Sequence, residues 1–311
     1  MILERKLWCR MKNKVAITGS SGFLGGNISL ILSQSGCHCF PVKRKTNTSF
    51  EDLSSFTECD SIIHLAAKVH DLKGLARKTD FFDSNLELTK EIYDFFLSSN
   101  CQRFIFFSSI AAVSSECNDV LLESDHPEPT TLYGKSKLAA EQYILSKSLP
   151  KNKRVYILRP SMVHGPNNKG NLNLLVNIIR KGVPYPLGLF KNKRSFTSVD
   201  NVSFVVKELL ENEIESGIYN LADDTPLSTE SIVRMIGDVN NQKARIWNVP
   251  CWIVKLAAHL GDGMKLPFNT VRLSKLTDNY IVSNAKIKAA IGKELPVSAE
   301  EGLMKTLKSF K

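Results

Sequence analysis

The sequence lacks the cysteine pattern of a disulfide-stabilised or zinc-binding protein. Its seven cysteines are an odd number at irregular spacings and include no CxxC pair, so neither a disulfide framework nor a zinc site is expected. Residues 37–39 read Cys-His-Cys, but alternation along a strand would place His38 on the opposite face from the two thiols. The sequence therefore predicts no metal site.

Long apolar runs are also missing. The most apolar stretch, 249–260, contains Pro250, Lys255 and His259, which is typical of an amphipathic or core helix rather than a membrane span. The first fourteen residues have no long apolar segment and no small-residue cleavage site, so a cytoplasmic location is expected rather than secretion. Residues 1–13 are predicted to form an N-terminal extension, most of which a start at Met11 would omit.

Acidic residues are in deficit, because 31 Asp and Glu against 41 Lys and Arg give a net charge of +10. The cations occur in short clusters such as 43–45 and 191–194, whereas a nucleic-acid arm concentrates them in one dense tract. The charge therefore favours a phosphate-bearing small molecule over nucleic acid as the partner.

Short apolar runs alternate with helical patterns over the first half of the chain. Strands are predicted at 14–18, 37–42, 61–66, 103–107 and 155–158, and helical spacing of apolar residues begins near Leu24, Leu88 and Tyr133. The strand runs are short and continuous, as in strands that are buried on both faces. This order predicts the α/β class, with a Rossmann-type doubly wound parallel sheet.

The character of the sequence changes after Pro166. Asn and Gly cluster at 167–173, Pro184 and Pro186 interrupt the next segment, and shorter elements follow. We predict an NAD(P)-binding domain at 14–166 and a smaller C-terminal lobe that binds substrate, mainly at 167–311. The pattern at 217–221 also suits a strand that returns to the first domain.

A glycine motif joins the first strand to the first helix. Gly19, Gly22 and Gly25 are spaced as GxxGxxG, where the first permits a tight turn, the second lets the backbone approach a pyrophosphate, and the third lets helix and strand pack closely. A purely structural glycine turn is the alternative. The flanking strand and helix favour dinucleotide binding.

The end of the second strand indicates which dinucleotide is bound. An NAD-specific fold carries Asp or Glu there for the ribose hydroxyl, whereas this chain has Lys43 and Arg44. Cations at that point suit a 2′-phosphate, so NADP(H) is favoured over NAD(H). The alternative is that both residues belong to a solvated loop.

Tyr133 and Lys137 form a YxxxK unit at the start of a helix. Residues four apart share a helix face, so the ammonium can lie beside the phenol and is expected to lower the Tyr pKa towards neutrality. Ser109 follows the fourth strand, where it can hydrogen-bond a reacting alcohol or ketone. Ser108 is the competing candidate, and simple capping of the strand end is the alternative for both.

Taken together, these motifs resemble the extended short-chain dehydrogenases/reductases, a family of sugar-nucleotide epimerases, dehydratases and 4-ketoreductases. The resemblance covers nearly the whole chain and includes the glycine motif at 19–25, HLAA at 64–67, Asn85, Ser108 and Ser109, YGKSK at 133–137, Arg159 with Pro160, and HGP at 164–166.

The resemblance implies a role for each matching residue. Ser109, Tyr133 and Lys137 are the implied catalytic triad, and Asn85 is a structural or relay position. The implied cofactor residues are Gly19, Ser21, Gly22, Phe23, Leu24, Gly25, Lys43, Arg44, Asp52, Leu53, Leu65, Ala66, Ala67, Tyr133, Lys137 and Pro160. Ser109, Asn171, Leu172 and Arg194 are the implied substrate residues. Asn171, Leu172 and Arg194 are implied to hold the nucleotide diphosphate of the sugar donor, unless Arg194 forms a surface salt bridge. The family also implies a homodimer.

The segment 172–200 is similar to a bacterial branch of the family that is linked to surface polysaccharide precursors and includes a 4-ketoreductase forming UDP-N-acetylquinovosamine. Two positions depart from the family pattern, with Val113 in place of Tyr and Ser114 in place of Gly, so the wall facing the sugar is expected to differ. We expect a C4 ketoreductase. A UDP-hexose 4-epimerase is the alternative, and a non-catalytic NAD(P)-binding regulator is disfavoured because the triad is intact.

Overall fold

The structure is a computed structural model that describes residues 13–69, 78–117, 119–168, 171–264, 266 and 268–310, with the backbone alone for Lys78 and Asn171. The predicted N-terminal extension therefore lies, except for Asn13, outside the described residues.

Strands and helices alternate along the chain. The strands are β1 Lys14–Thr18, β2 His38–Val42, β3 Ser61–His64, β4 Arg103–Phe107, β5 Val120–Leu121, β6 Arg154–Pro160, β7 Met162–His164, β8 Phe196–Ser198, β9 Gly217–Leu221 and β10 Ile281–Val282. The α-helices are α1 Phe23–Gln34, α2 Lys78–Phe82, α3 Leu88–Ser98, α4 Leu132–Ser146, α5 Asn171–Arg180, α6 Val199–Glu211, α7 Thr229–Val239, α8 Cys251–Gly263, α9 Thr270–Thr277, α10 Ala285–Ile291 and α11 Ala299–Lys308. Short 3₁₀ turns lie at Ser54–Phe56 and Ile110–Ala112, and a π-helical turn lies at Asp83–Glu87.

Six strands form one parallel sheet in the order β2-β1-β3-β4-β6-β9. The chain moves from β1 to β2 on one side and then returns to place β3 on the other side of β1. This reversal is the topological switch point at which doubly wound sheets bind ligands, outside the carboxyl ends of their strands. The predicted α/β class and the Rossmann-type sheet are confirmed.

Helices cover both faces of the sheet, which explains the continuous apolar strand runs. Along β4, Ile105 and Phe107 pack in one core cluster with residues of α1 and α6, whereas Phe104 and Phe106 pack in a second cluster with residues of α3 and α4. Side chains alternate between the two faces of a strand, so both faces must be apolar.

A third core cluster lies in the C-terminal part of the chain and draws on α5, α7, α8, α9 and α11. β9 pairs in parallel with β6, so the segment 217–221 does return a strand to the sheet, and α6 packs on the sheet beside α1. The division of the chain at residue 166 into a cofactor domain and a substrate lobe stays a prediction.

Three predicted strands have shifted ends. β2 begins at His38 rather than at residue 37, β6 spans Arg154–Pro160 rather than 155–158, and β3 ends at His64 rather than at residue 66. The Leu65 amide donates both to the Thr18 carbonyl oxygen at 3.3 Å and to Thr18 Oγ1 at 3.1 Å, and the Ala66 amide donates only to Thr18 Oγ1, at 3.1 Å, so the regular strand pairing ends at this point. As strand alternation predicts, Cys37 and Cys39 pack against the first cluster and His38 is exposed.

Within the described residues, no helix is long and apolar enough to cross a membrane. The same residues contain no group of three or more His, Cys, Asp or Glu side chains that could hold a metal ion.

Candidate active site

The glycine motif forms the turn between β1 and α1. Gly19 has a φ of +68°, and a Cβ there would lie 2.8 Å from the Ala66 amide nitrogen, so this position needs glycine on both counts. A Cβ on Gly25 would lie 2.2 Å from the Gly19 carbonyl oxygen. The first helical turn therefore packs directly on the loop.

The turn exposes the N-terminus of α1 to a ligand. Gly22 is the N-cap residue and gives no side-chain cap, and the first turn of the helix contains no acidic residue. The first backbone N–H groups of a helix have no intrahelical acceptors and carry partial positive charge, so they suit an anion. Ser21 is exposed, Phe23 and Leu24 are half-buried, and a dinucleotide pyrophosphate fits this cradle.

Buried hydrogen bonds fix the turn against the end of β3. Thr18 Oγ1 is 2.7 Å from His64 Nδ1, and His64 Nε2 is 3.0 Å from Thr89 Oγ1 on α3. Burial holds the pKa of His64 well below its usual range, with a smaller contribution from the charge of Lys137, so the ring is a neutral structural bridge. Leu65 and Ala66, both predicted cofactor residues, lie directly after this bridge.

The end of β2 carries the two predicted cations. Lys43 and Arg44 are exposed, and neither forms an ion pair with a carboxylate of the described residues. The next predicted pair begins a short turn: Asp52 Oδ1 accepts from the Ser54 amide at 2.9 Å, and Leu53 packs against the second cluster. Hydrogen bonds from Ser54 lower the pKa of Asp52.

The two serines after β4 point to different partners. Ser108 is buried and donates to the carboxylate of Glu141. Ser109 is half-buried, accepts from the Ala111 amide at 3.2 Å, and also forms a hydrogen bond with Tyr133 that lowers the pKa of the phenol. The geometry thus separates the two candidates, since Ser109 is the serine that reaches the phenol, although it also caps the strand end.

The start of α4 sets the position of Tyr133. Thr131 caps the helix by accepting from the Gly134 amide at 3.0 Å, and a Cβ on Gly134 would lie 2.2 Å from the Ala111 carbonyl oxygen. This close packing brings the helix onto the segment that follows Ser109. It explains how two residues that are distant in the sequence come to share a hydrogen bond.

The expected low pKa of the phenol is wrong for this chain. Burial raises the pKa of Tyr133 to about 12, and the hydrogen bond from Ser109 offsets only part of that rise. Part of the Tyr133 side chain remains accessible to solvent. The pKa is raised because burial removes water that would stabilise the charged phenolate. At neutral pH the phenol is therefore a proton donor.

Lys137 is almost completely buried and ends at the same sheet edge. Its Nζ donates to the Phe107 carbonyl oxygen at 2.7 Å and lies 4.7 Å from the centre of the Phe106 ring. Burial lowers the pKa of Lys137 to about 7, and the nearby charge of Glu141 opposes this change. The side chain can therefore gain or lose a proton near physiological pH.

A buried ion pair lies under these residues and was not predicted from the sequence. Arg159 donates to Glu141 through Nε at 3.0 Å and Nη2 at 2.5 Å, and both side chains are buried. The pair joins α4 to β6, and Glu141 also receives the Ser108 hydrogen bond. The repeat Tyr133, Lys137, Glu141 at four-residue spacing could have indicated it, because those positions share one helix face.

Asn85 connects the loop after β3 to the catalytic helix. Its Oδ1 accepts from the Lys68 amide at 2.7 Å, and its Nδ2 donates to the Lys68 carbonyl at 3.0 Å and to Ser136 Oγ at 2.8 Å. These bonds fit the structural role implied for Asn85. They also hold the half-buried Ala67 next to α4.

Arg194 lies in the C-terminal part of the chain and packs on Tyr280. Its guanidinium stands over the Tyr280 ring at 5.5 Å and donates to the Asp278 carbonyl at 3.1 Å, without an ion pair to a described carboxylate. Tyr280 in turn donates to the Ser114 carbonyl at 2.7 Å. Arg194 is therefore tied to the segment after Ser109 rather than to a surface salt bridge.

The remaining predicted residues occupy varied positions. Pro160 is buried and ends β6, and Leu172 is half-buried in the third cluster. Asn171 is the first residue of α5, and its side chain lies outside the described residues. Val113, the departure from the family pattern, is buried in a fourth cluster with Tyr280, so the aliphatic residue packs within the wall.

Comparisons with known proteins agree with this architecture. The model of the NAD dependent epimerase/dehydratase family matches residues 15–222. The UDP-glucose 4-epimerase of Vibrio cholerae is 28% identical over 323 aligned residues, which cover 97% of this chain and 96% of that protein.

Solved structures give the same fold at lower identity. The UDP-N-acetylglucosamine 4-epimerase from Bacillus cereus superposes with a TM-score of 0.75 and 21% identity, covering 95% of this chain and 98% of that one. RMD from Pseudomonas aeruginosa, complexed with NADPH, superposes with a TM-score of 0.73 and 19% identity, covering 96% and 99%. Because the family model spans more than half of the sequence, the chain belongs to the NAD dependent epimerase/dehydratase family, within the extended short-chain dehydrogenases/reductases.

Proposed function

We propose that this chain transfers hydride between a nicotinamide dinucleotide and C4 of a UDP-hexose. Two observations carry the proposal: Ser109 hydrogen-bonds Tyr133, and the Lys137 ammonium donates to the Phe107 carbonyl oxygen at the carboxyl end of β4, at 2.7 Å. That edge also holds the glycine turn, two strands away in the sheet. Neighbouring strands are about 4.8 Å apart, so a dinucleotide on the turn can reach the three side chains.

The chain's own residues supply the acid–base chemistry. The bound nicotinamide ring would supply or accept the hydride. Tyr133 gives its proton to the oxygen that becomes the C4 hydroxyl, and Ser109 orients that oxygen through a hydrogen bond. Lys137, with its pKa near 7, can return a proton towards the phenol and add positive charge beside the developing alkoxide.

Reduction of a 4-keto sugar is the reaction that the site supports best. A phenol with a pKa of about 12 starts in the protonated form that a ketone reduction requires. Lys43 and Arg44 are exposed and form no ion pair within the described part of the chain. They favour NADP(H), a cofactor suited to reductive turnover. We therefore propose a 4-ketoreductase that serves surface polysaccharide precursor synthesis.

A UDP-hexose 4-epimerase is the second candidate. It is favoured by the full-length similarity to the Vibrio cholerae protein that carries the name UDP-glucose 4-epimerase. A nicotinamide dinucleotide held at the glycine turn would supply both hydride removal and hydride return at C4, so the net chemistry would need no external reductant.

Arg194 is proposed to hold the substrate diphosphate. Its guanidinium is oriented by Tyr280 and Asp278 without an ion pair to a described carboxylate, and a planar guanidinium matches phosphate oxygens well. Leu172 and Asn171 are proposed to line the same side. A cytoplasmic homodimer remains part of the proposal, and sedimentation of the purified chain tests its oligomeric state.

One panel of reactions separates the two candidate functions. Purified protein is incubated either with a UDP-4-keto-hexose and NADPH or with UDP-glucose or UDP-N-acetylglucosamine and no added cofactor, and the products are resolved by NMR. The reductase predicts NADPH-dependent formation of a 4-hydroxy sugar. Efficient C4 inversion without added cofactor would instead establish the epimerase, and no turnover in either arm would refute both.

The cofactor preference has its own measurement. We expect a lower Michaelis constant for NADPH than for NADH, because Lys43 and Arg44 can contact a 2′-phosphate. A clear preference for NADH would remove the argument drawn from the end of β2.

A further inference from the structure

An exposed apolar surface in the C-terminal part of the chain is not used by the proposed chemistry. Within the segment 247–276, the exposed large apolar side chains include Trp252, Leu256, Leu260 and Met264, which are between 53% and 69% accessible. Scattered exposed apolar residues are ordinary on soluble proteins, but a continuous patch marks an interaction site.

Helix α8 concentrates this surface on one side. Its buried residues are Val254, Ala258 and Gly261, which form a single narrow stripe. Successive helical residues are separated by about 100°. At that spacing, Trp252, Leu256, Leu260 and Ile253 follow one another around about 100° of the opposite face. We call these four residues the α8 apolar arc.

The arc is presented on a firmly packed element. A Cβ on Gly261 would lie 1.8 Å from the Phe268 carbonyl oxygen, so the chain that leads into α9 lies directly on α8. Asp262 accepts from the Thr270 amide at 3.2 Å and joins the two helices again. The apolar side chains are therefore exposed on a folded helical hairpin.

The segment that contains α8 is rich in positive charge. Between residues 243 and 277 the sequence has six Lys and Arg residues, one Asp and no Glu. Lys255, Arg272 and Lys275 are exposed on α8 and α9 themselves. A two-fold dimer through this face would set like charges against each other, whereas an anionic lipid surface complements them.

We propose that α8 docks on the surface of an anionic phospholipid membrane through its apolar arc. Indole rings favour the membrane–water interface, and Lys255 with His259 borders the arc on one side, as in helices that lie in the interface plane. With 13 residues, α8 is shorter than the roughly 20 residues that a span requires. The helix therefore lies on the bilayer rather than across it.

The experiment measures vesicle binding by the full chain without substrate, so its failure is distinct from failure of the catalytic proposal. Protein carrying Trp8→Phe is mixed with vesicles of phosphatidylglycerol and phosphatidylcholine and with vesicles of phosphatidylcholine alone. We expect co-sedimentation that rises with phosphatidylglycerol content and falls with salt. We also expect a blue shift of the Trp247 and Trp252 emission that brominated lipid quenches.

Paired variants locate the docking surface. Leu256→Ser with Leu260→Ser should reduce vesicle partitioning at least tenfold, because both substitutions replace an apolar side chain that enters the bilayer with a polar one. Leu30→Ser with Leu145→Ser changes two leucines of similar exposure on α1 and α4 and should leave partitioning unchanged. Circular dichroism establishes that both pairs are folded.

Several outcomes would overturn the proposal. These are the absence of vesicle binding, binding that does not depend on phosphatidylglycerol, and equal loss in the two double variants. A chain that is oligomeric without lipid and becomes monomeric only with Leu256→Ser and Leu260→Ser would identify the arc as an interface between copies of this chain.

Discussion

Replacement of Lys137 by Met tests whether burial lowers the pKa of the Lys137 ammonium in the folded chain. The ammonium is buried, which lowers its pKa to about 7, whereas a lysine in the unfolded chain has a pKa near 10.4. Between these values the unfolded chain binds more protons than the folded chain, so the stability of the wild type rises with pH. Met fills a similar volume but cannot titrate.

The size of the effect follows from the two pKa values. From pH 7 to pH 9 the wild type should gain about 2 kcal/mol of unfolding free energy relative to Lys137→Met, since each pKa unit corresponds to about 1.4 kcal/mol. Urea denaturation of both proteins at each pH measures this difference. Lys135→Met is the matched control, because Lys135 lies exposed on the same helix, and its profile should parallel the wild type.

A lowered pKa of Lys137 is excluded if the unfolding free energies of the wild type and Lys137→Met differ by the same amount, within about 0.5 kcal/mol, at pH 7 and pH 9. Such a result would mean that Lys137 keeps an ordinary pKa in the folded chain. The proton-return role proposed for it near neutral pH would then lose its basis.

Three further changes test other parts of the site. Gly25→Ala should lower the free energy of unfolding by about 2 kcal/mol and weaken NADPH binding in titration calorimetry, because its Cβ would meet the Gly19 carbonyl oxygen. Gly26→Ala is the control and should change neither quantity, because the nearest atom to its Cβ is 3.7 Å away. Glu141→Gln should cost about 3 kcal/mol in urea denaturation, since it leaves the buried Arg159 unpaired; an unchanged midpoint would contradict this. Arg194→Lys should raise the KM for a UDP-sugar about tenfold with little change in kcat, since Lys lacks the planar fork; a fall in kcat alone would argue against diphosphate binding.

The sequence predicted elements and contacts correctly where the local pattern and the tertiary environment agree. β1 and β4 occupy the predicted residues because their apolar runs are buried on both faces. The glycine spacing identified the turn because each missing Cβ makes room for neighbouring backbone. Tyr133 and Ser109 meet because they belong to motifs whose supporting strand and helix were also recognisable.

Other features depend on three-dimensional surroundings that spacing does not specify. The direction of the Tyr133 pKa shift was wrong because helical spacing shows which residues are neighbours, but not how deeply they are buried. The Glu141–Arg159 pair joins residues from two elements, and the pattern within each element does not show that α4 packs over the end of β6. The exposure of Trp252 and Leu256 was equally hidden, because the apolar pattern of α8 suits a core helix as well as a surface one.

The central claim is that the Tyr133 phenol transfers a proton at C4 of a UDP-hexose. The most direct test compares turnover of a UDP-4-keto-hexose with NADPH by the wild type, Tyr133→Phe and Tyr143→Phe, the last of which removes a phenol that bonds Asp94 on the outer face of α4. We expect Tyr133→Phe to lose about 10²–10⁴-fold in kcat and Tyr143→Phe to keep full activity. Turnover by Tyr133→Phe at the wild-type rate would show that the Tyr133 phenol does not transfer the proton at C4.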